Sequence, residues 1–284
     1  MLKVASWAQS GTALMVVAQL FFSLMVVCVK FARVELSGVE VVLWRSLASL
    51  PVLWWVCRDG LWKISISRAL FSRIGFGFAA MSAFYIAAKS LAVADLSMIS
   101  KLMPILVAFG APVLLGEQEN PDSDLWWVTI VALLGCSILL MPSFQLGTSG
   151  GLWALVAAVF ASAAHISLRA LKNENAWSVV LWFQQGTVAL ASLTLIFTEG
   201  TVDVPPSSVW LPLAGVAALG TLGQFFMTWA YSKAKASTVS AASYLGPLWA
   251  IGADFVFFNL LPSWNFWLGG TILVFAGAWL IRKG

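Results

Sequence analysis

Three charged residues lie inside long apolar stretches of this 284-residue chain: Arg45, Lys101 and Asp254. A charge within the hydrocarbon core of a membrane costs about 2.5–3.5 kcal/mol or more, so each one needs a partner or a water-filled cavity. Arginine presents a planar fork of donors and lysine a compact point charge, and both bind carboxylates and phosphates. Arg45 and Lys101 therefore indicate an anion-recognising pair. A salt bridge to Asp254, or snorkelling towards the headgroups, is the structural alternative.

Two titratable side chains raise the question of proton coupling. Asp254 is the candidate for carrying a coupling proton, although its place near the end of an apolar stretch favours a structural partner. His165 is the single histidine, and it is a candidate relay because histidine titrates near physiological pH. Hydrogen-bonded packing is the commoner role of a lone buried histidine. A proton or other ion gradient therefore stays open as a driving force.

Polar side chains on otherwise apolar helices extend the candidate binding site. Tyr85, Gln224 and Tyr244 lie on such polar faces. These faces are expected to point into the helix bundle, because lipid offers them no hydrogen-bond partners. The alternative is hydrogen bonding between helices without any contact to cargo.

Aromatic and amide residues of the second and seventh apolar stretches are further candidates. Trp44 and Trp182 could stack against an apolar or cationic cargo. Gln184 and Gln185 are adjacent and so face different directions, which means that at most one of them lines a cavity. We assign that place to Gln185.

These residues are positioned by apolar segments that account for most of the chain. Hydrophobic residues make up 61% of the sequence, charged residues make up 10%, and the mean hydropathy is +0.91, which is typical of a chain embedded in lipid. A spanning helix needs about 20 mostly apolar residues. The sequence predicts an all-α integral membrane protein with ten transmembrane helices, at residues 11–31, 39–57, 70–91, 94–116, 125–141, 150–171, 177–198, 209–232, 237–259 and 264–281.

The chain is internally duplicated. The sequence Val-Val-Leu-Trp at 41–44 returns at 179–182, 138 residues later. Each copy contains five predicted spans, an odd number, so the second copy must be inverted relative to the first. The sequence therefore predicts a 5+5 inverted-topology repeat, with one copy at residues 1–145 and the other at residues 146–284.

Two prolines related by the repeat are candidate hinges. Pro104 returns as Pro247, 143 residues later, and the same offset pairs Lys101 with Tyr244. Proline removes a backbone hydrogen bond inside a helix, so a kink is expected at each position. Helical spacing also predicts that Lys101 and Pro104 share one continuous face of the fourth span. Kinked packing without motion is the alternative to a hinge.

The basic residues set a predicted orientation. Only Lys30, Arg33 and Lys89 fall in turns that would face outwards if the N-terminus lies inside. The positive-inside rule then places both chain ends in the cytoplasm of a plasma (bacterial inner) membrane. The net charge of +4 is thus a bias of topology, and it does not indicate nucleic-acid binding. The cytoplasmic segments would hold Lys3, Arg58, Lys63, Arg68, Arg73, Arg169, Lys172, Lys233, Lys235, Arg282 and Lys283, together with the acidic Glu117, Glu119, Asp122 and Asp124.

Several of these features resemble a known family. Five plus five spans, Arg45 in the second, Pro104 in the fourth and Leu-Gly-Glu closing it at 115–117 are similar to the EamA branch of the drug/metabolite transporter superfamily. The resemblance covers the whole chain. It implies secondary transport of small metabolites, often export, through a cavity lined by spans one to four and six to nine. The second copy departs from the pattern, because residues 258–262 lack the closing Gly-Glu.

Three functions compete. The first is export of a small polar metabolite such as an amino acid, whose carboxylate would meet the cationic pair. The second is efflux of cationic or apolar compounds, with Arg45 structural. The third is a membrane-embedded enzyme, but the sequence contains neither a His-Glu-x-x-His zinc motif nor a P-loop. We therefore expect a transporter in the lipid bilayer with a small-molecule cargo, with no enzymatic activity, cofactor or metal.

Overall fold

The computed structural model describes residues 10–91, 93–140, 149–258 and 264–283, and within these ranges all regular secondary structure is helical. Three short 3-10 turns lie at Glu117–Glu119, Ser207–Val209 and Ala242–Leu245. The α-helices are α1 Gly11–Ala32, α2 Gly38–Val56, α3 Arg68–Ser90, α4 Val93–Ser100, α5 Met103–Leu115, α6 Ser123–Leu140, α7 Ser149–Ala170, α8 Ala176–Glu199, α9 Trp210–Lys233, α10 Ala236–Ala241, α11 Gly246–Phe258 and α12 Trp264–Lys283.

Local sequence signals set where the helices begin and end. A capping box opens α2: the Ser37 hydroxyl accepts from the Glu40 amide at 3.2 Å, and the Glu40 carboxylate accepts from the Ser37 amide at 2.5 Å. Together they satisfy two amides that have no partner inside the helix. Gly116 (φ 102°) follows α5 and Gly200 (φ 77°) follows α8, and positive φ at both positions favours glycine.

Within the described ranges, seven segments have the length and composition of membrane-spanning helices. The helices α6 and α12 each contain a shorter apolar segment, Ser123–Leu139 in α6 and Trp267–Arg282 in α12. The prediction of an all-helical chain with many apolar spans is confirmed at this level.

The fourth and ninth predicted spans are each interrupted. The stretch 94–116 forms α4 and α5 with a break at Lys101 and Leu102, and the stretch 237–259 forms α10, the turn Ala242–Leu245 and α11. At the first break, the Lys101 and Leu102 amides donate to carbonyls only three residues back, both at 3.0 Å. The prediction of one continuous face through Lys101 is therefore wrong, because the helix stops there.

Most of the core forms between the two halves of the chain. α1 packs along α9, α3 along α7, α2 along α8, and α6 along α12. The last pair approaches closely at Gly269, where a Cβ would lie 2.6 Å from the carbonyl oxygen of Gly135. Small residues allow such contacts between membrane helices, where packing rather than hydrophobicity drives association.

Candidate functional site

Two connected cavities lie inside the bundle. The first, which we call the central cavity, has a volume of about 250 Å³ and is walled by residues of α1, α2, α3, α7, α8 and α9 and by residues at the two helix breaks. The second, which we call the vestibule, has a volume of about 480 Å³ and reaches Lys30 and Arg33 at the end of α1. The residues that line both are Gln19, Phe22, Val26, Phe84, Ser100 and Lys101.

Arg45 lines the central cavity as the sequence predicted, and it is only 1% exposed. Its Nη1 donates to the Tyr85 hydroxyl at 3.4 Å and to the Met25 sulfur at 3.6 Å. Within the described part of the chain, its Nε and Nη2 have no hydrogen-bond acceptor. The guanidinium is therefore held by a phenol and a thioether, and neither partner neutralises its charge.

Arg73 is a second buried guanidinium in the same cavity, where sequence analysis had assigned it to a cytoplasmic segment. It is 3% exposed, and its Nη2 donates to the Gln224 side-chain oxygen at 2.5 Å. Its Cζ lies 3.9 Å from the centre of the Phe183 ring, a cation–π contact. Its side chain extends one turn along α3 to Gly77, where a Cβ would lie 2.5 Å from Nη1.

Two glycines that the repeat relates are a sequence signal that could have indicated Arg45 and Arg73 together. The repeat offset of 143 residues pairs Gly77 with Gly220. Gly77 makes room for Arg73, and at Gly220 a Cβ would lie 3.4 Å from the Cζ of Arg45. Each half thus has one glycine beside a buried arginine, and at Gly220 the Met25 sulfur is nearer still, 2.9 Å from where a Cβ would lie.

The two helix breaks are joined by a reciprocal pair of hydrogen bonds. The Lys101 ammonium donates to the Ser243 carbonyl at 2.9 Å, and the Tyr244 hydroxyl donates to the Lys101 carbonyl at 3.0 Å. Lys101 lines both cavities. Tyr244 lines neither, since it packs among residues of α6 and α12 in the hydrophobic core. The two residues that the repeat relates are therefore in direct contact, and their side chains satisfy backbone carbonyls freed by the breaks.

His165 also lines the central cavity, and its Nδ1 lies 2.8 Å from the Tyr231 hydroxyl. Hydrogen-bonded packing, one of the two roles considered for it, accounts for this contact. The Tyr231 carbonyl in turn accepts from Nη1 of Arg169 at 3.0 Å. This connects the cavity wall to an ion pair at one end of the bundle.

That ion pair joins Glu119 and Arg169. The Arg169 Nε donates to Oε1 of Glu119 at 2.7 Å, and the amide of Ala236, the first residue of α10, donates to Oε2 at 2.8 Å. Glu119 is 2% exposed. We call this end of the bundle the Glu119 end, and the opposite end, where the vestibule reaches Arg33, the Arg33 end. The sequence alone indicates for Glu119 only a place in an acidic cytoplasmic loop.

Three other candidates do not reach the cavities. Trp44 packs edge-on against Trp210 with ring centres 5.7 Å apart. The indole of Trp182 donates to the Trp62 carbonyl at 2.8 Å. Gln185 is half-buried on α8 and lines neither cavity. The structure therefore brings Arg45, Lys101, Tyr85, Gln224 and His165 together and leaves these three apart.

The two hinge candidates lie next to the breaks, and the side chain of the coupling candidate is not among the described residues. Pro104 occupies the first turn of α5 and Pro247 the first turn of α11, each just after a break, and Pro247 lines the vestibule. A hinge at either position stays a prediction. The side chain of Asp254 lies outside the described residues, so its coupling role also stays a prediction.

A Gly-x-Ser-x-Gly pattern at residues 147–151 resembles a hydrolase nucleophile motif. That motif depends on a strand-to-helix turn that exposes the serine. The described residues contain no strand, and Ser149 is the first residue of α7. The pattern therefore has no support as a catalytic site.

The charged side chains described as lining the cavities are all basic, while those of Asp95 and Asp254 lie outside the described residues. Arg45, Arg73 and Lys101 line the central cavity, and Lys30 and Arg33 line the vestibule. The described residues also contain no group of three or more histidine, cysteine or acidic side chains that could hold a metal. Such a cavity can bind an anion, and it offers no paired nucleophile and base.

Comparisons with known proteins agree with a transporter. A sequence profile described as the EamA-like transporter family matches residues 9–141 and again residues 148–283. A pseudopaline exporter of Pseudomonas aeruginosa is 26% identical over 276 residues, 94% of each chain. The human solute carrier family 35 member G1 is 26% identical over 217 residues, 70% of this chain and 58% of that protein. A crystal structure with 20% sequence identity superposes with a TM-score of 0.78 over 96% of this chain and 98% of that one.

Proposed function

This chain belongs to the EamA-like transporter family, and on that premise we propose that it is a secondary transporter that exports a small metabolite by alternating access. The main support is the central cavity, whose buried cations adjoin the vestibule that reaches the Arg33 end, while an ion pair lies at the Glu119 end. The similarity to a named exporter over 94% of both chains supports export.

We further propose that the architecture is a 5+5 inverted repeat, with copies at residues 1–145 and 146–284. The α4–α5 and α10–α11 segments each count as one interrupted span. Three observations support this. The family profile matches once in each half, the two breaks are related by the repeat offset, and the packing of α1 on α9 has its counterpart in α7 on α3. Interrupted spans at a repeat interface are a recurring way to build a midplane transport site.

In the proposed cycle, the two halves rock against each other around the central cavity. The conformation described here corresponds to the state open at the Arg33 end. We assign that end to the outside of the membrane, because the basic residues then lie mainly in the cytoplasm. Pro104 and Pro247 are proposed as the hinges, since each follows a break where the backbone already lacks continuous helical hydrogen bonds.

The proposed orientation predicts that both chain ends lie on the cytoplasmic face. Single cysteines placed at residues 3 and 284, in a background without Cys28, Cys57 and Cys136, should react with an impermeant maleimide in inverted vesicles but not in intact cells. A cysteine in the turn after α8, at Asp203, should show the opposite pattern. Labelling of the two chain ends from opposite faces would rule out an even number of spans.

For the cargo, we propose a small metabolite with an anionic group, a class that includes amino acids. Arg45, Arg73 and Lys101 support this assignment because all three line the cavity and no acidic side chain is described among its lining residues. Efflux of cationic compounds has weaker support. The two tryptophans proposed for such cargo, Trp44 and Trp182, line neither cavity.

Overproduction of the protein should raise the concentration of one or more small anionic metabolites in the growth medium, measured by untargeted mass spectrometry. Arg45→Gln should lower this export by about 30-fold or more, the effect of removing one partner of a buried charge pair. Arg58→Gln is the matched control, because the Arg58 side chain is 63% exposed and lies outside both cavities. Identical media from wild type, Arg45→Gln and empty vector would contradict the proposed function.

A further inference from the structure

The central cavity holds more positive charge than one carboxylate can neutralise. Arg45, Arg73 and Lys101 are 1%, 3% and 8% exposed, and no aspartate or glutamate is among the side chains described as lining the cavity; the side chains of Asp95 and Asp254 lie outside the described residues. Leaving a buried charge unpaired is strongly unfavourable in a membrane protein. Only Lys101 has a carbonyl partner at short range, the Ser243 oxygen at 2.9 Å.

A partly buried arginine elsewhere in the chain, Arg169, shows how the fold neutralises such a charge. Arg169 contacts the Glu119 carboxylate at 2.7 Å and a backbone carbonyl at 3.0 Å. Arg45 has instead a phenol and a thioether, and Arg73 has an amide and an aromatic ring. Three guanidinium nitrogens also lack acceptors within the described residues, namely Nε and Nη2 of Arg45 and Nε of Arg73. Arg45 and Arg73 therefore have only neutral partners among the described residues, whereas Arg169 has a carboxylate.

The two guanidiniums are spaced along the cavity wall. Arg45 contacts α9 at Gly220, and Arg73 contacts α9 at Gln224. These positions are one helical turn apart, a rise of about 6 Å. Like charges at this spacing repel each other. One carboxylate pairs with one arginine fork in the favoured bidentate geometry, so two forks at this spacing suit two separate oxyanion groups.

The space between the cations is apolar and small. Phe22, Phe84 and Phe183 line it, together with alanines of α7. The cavity volume of about 250 Å³ falls just below the usual range for ligand pockets of about 300–1,000 Å³. Such a space suits a short carbon skeleton with charged groups at its ends.

We propose that the cargo carries at least two negative charges, as a small dicarboxylate or a phosphate ester, with Arg45 and Arg73 each facing one oxyanion. This inference rests on the proposed transport function and narrows its substrate class. Amino acids with a second carboxylate belong to the class, and neutral amino acids do not. Lys101 contributes the third positive charge at the boundary between the central cavity and the vestibule.

The charge requirement is testable with isosteric probes on the purified protein in lipid nanodiscs. Succinate, succinamate and succinamide have nearly the same shape and carry two, one and no negative charges. Thermal stabilisation should give a half-saturating concentration about 30-fold lower for succinate than for succinamate, and succinamide should have no effect. Glutamate should likewise bind better than glutamine. Glycerol phosphate is the parallel probe for a dianionic phosphate, and the stronger of the two dianions identifies the group recognised.

Variants assign the effect to the two arginines. Arg45→Gln and Arg73→Gln should each bind succinate only as well as the wild type binds succinamate, since removing one cation is equivalent to removing one anion. Arg58→Gln should bind succinate like the wild type. Equal binding of succinate and succinamate, or no stabilisation by any dianion, would overturn the proposal. Export of a neutral metabolite in the medium assay would also overturn it while leaving the transport function intact.

Discussion

Replacement of Arg73 by glutamine is expected to reduce export by about 30-fold or more while leaving the protein as stable as the wild type, or more stable. The loss follows from removal of a buried cation that faces the cargo. The stability follows from the absence of a carboxylate around Arg73 in the described ranges. Burial of that charge is unfavourable without cargo, so glutamine removes a cost together with one hydrogen bond and the contact to Phe183.

A fall in export without a fall in stability distinguishes a binding residue from a structural one. Arg73→Lys keeps the charge but loses the planar fork and its stacking on Phe183, so export should fall less than with glutamine. Export measured in cells and the melting temperature measured in nanodiscs provide the two readouts, with Arg58→Gln as control. A parallel fall of export and melting temperature in Arg73→Gln would assign Arg73 to the fold, and unchanged export would remove it from the site.

The sequence indicates Arg45 and Lys101 as candidates because each interrupts a long apolar stretch, where a charge is costly enough to require an explanation. It missed Arg73 because this residue lies only five residues after the start of α3, among basic residues that flank a span. The arginine side chain is long, however, and it reaches a full turn further along the helix to Gly77. The position of the Cα, which sequence gives, is therefore a poor guide to the depth of the charge.

The interruptions at Lys101 and at Ala242–Leu245 were also invisible to hydropathy, since the apolar character continues through both. Proline gave a partial signal. It disfavours helical geometry at the residue before it, and Pro104 and Pro247 each follow a break closely. Kinks were predicted at the prolines themselves, whereas each break precedes its proline, and the extent of the break depends on the carbonyl partners that the opposite half supplies.

Aromatic residues were predicted least well. Trp44 and Trp182 are related by the repeat, yet both lie on helix faces outside the cavities, where they contact Trp210 and Trp62. Duplication identifies equivalent positions without identifying the face that points inwards. That face is decided by helix pairing between the halves, which no single stretch of sequence records.

Glu119→Gln is expected to open the Glu119 end. In the described conformation this carboxylate accepts from Arg169 and from the first amide of α10, so it joins the turn after α5 to α7 and α10. Breaking a buried ion pair by removing one partner costs about 3–5 kcal/mol. A difference of about 5.5 kcal/mol is enough to invert a population ratio of about 99 to 1, so a large share of molecules should change to the state open at this end.

The change in population can be read from a cysteine at Ala161, which lines the central cavity, in a background without Cys28, Cys57 and Cys136. In the wild type, an impermeant thiol reagent should reach this cysteine only from the Arg33 end. With Glu119→Gln it should also react from the Glu119 end. Glu117→Gln is the matched control, because this neighbouring side chain is exposed.

The double variant Glu119→Gln with Arg169→Gln should partly restore closure, since no charge is then left buried without its partner, and the two effects should not add.

The opposite end should be insensitive to the equivalent change. The repeat offset of 143 pairs Glu119 with Pro262, so the second copy has no carboxylate at that position with which to close the Arg33 end in the same way. This asymmetry favours the state described here at rest. An unchanged labelling pattern in Glu119→Gln would exclude the ion pair as the closure of the Glu119 end.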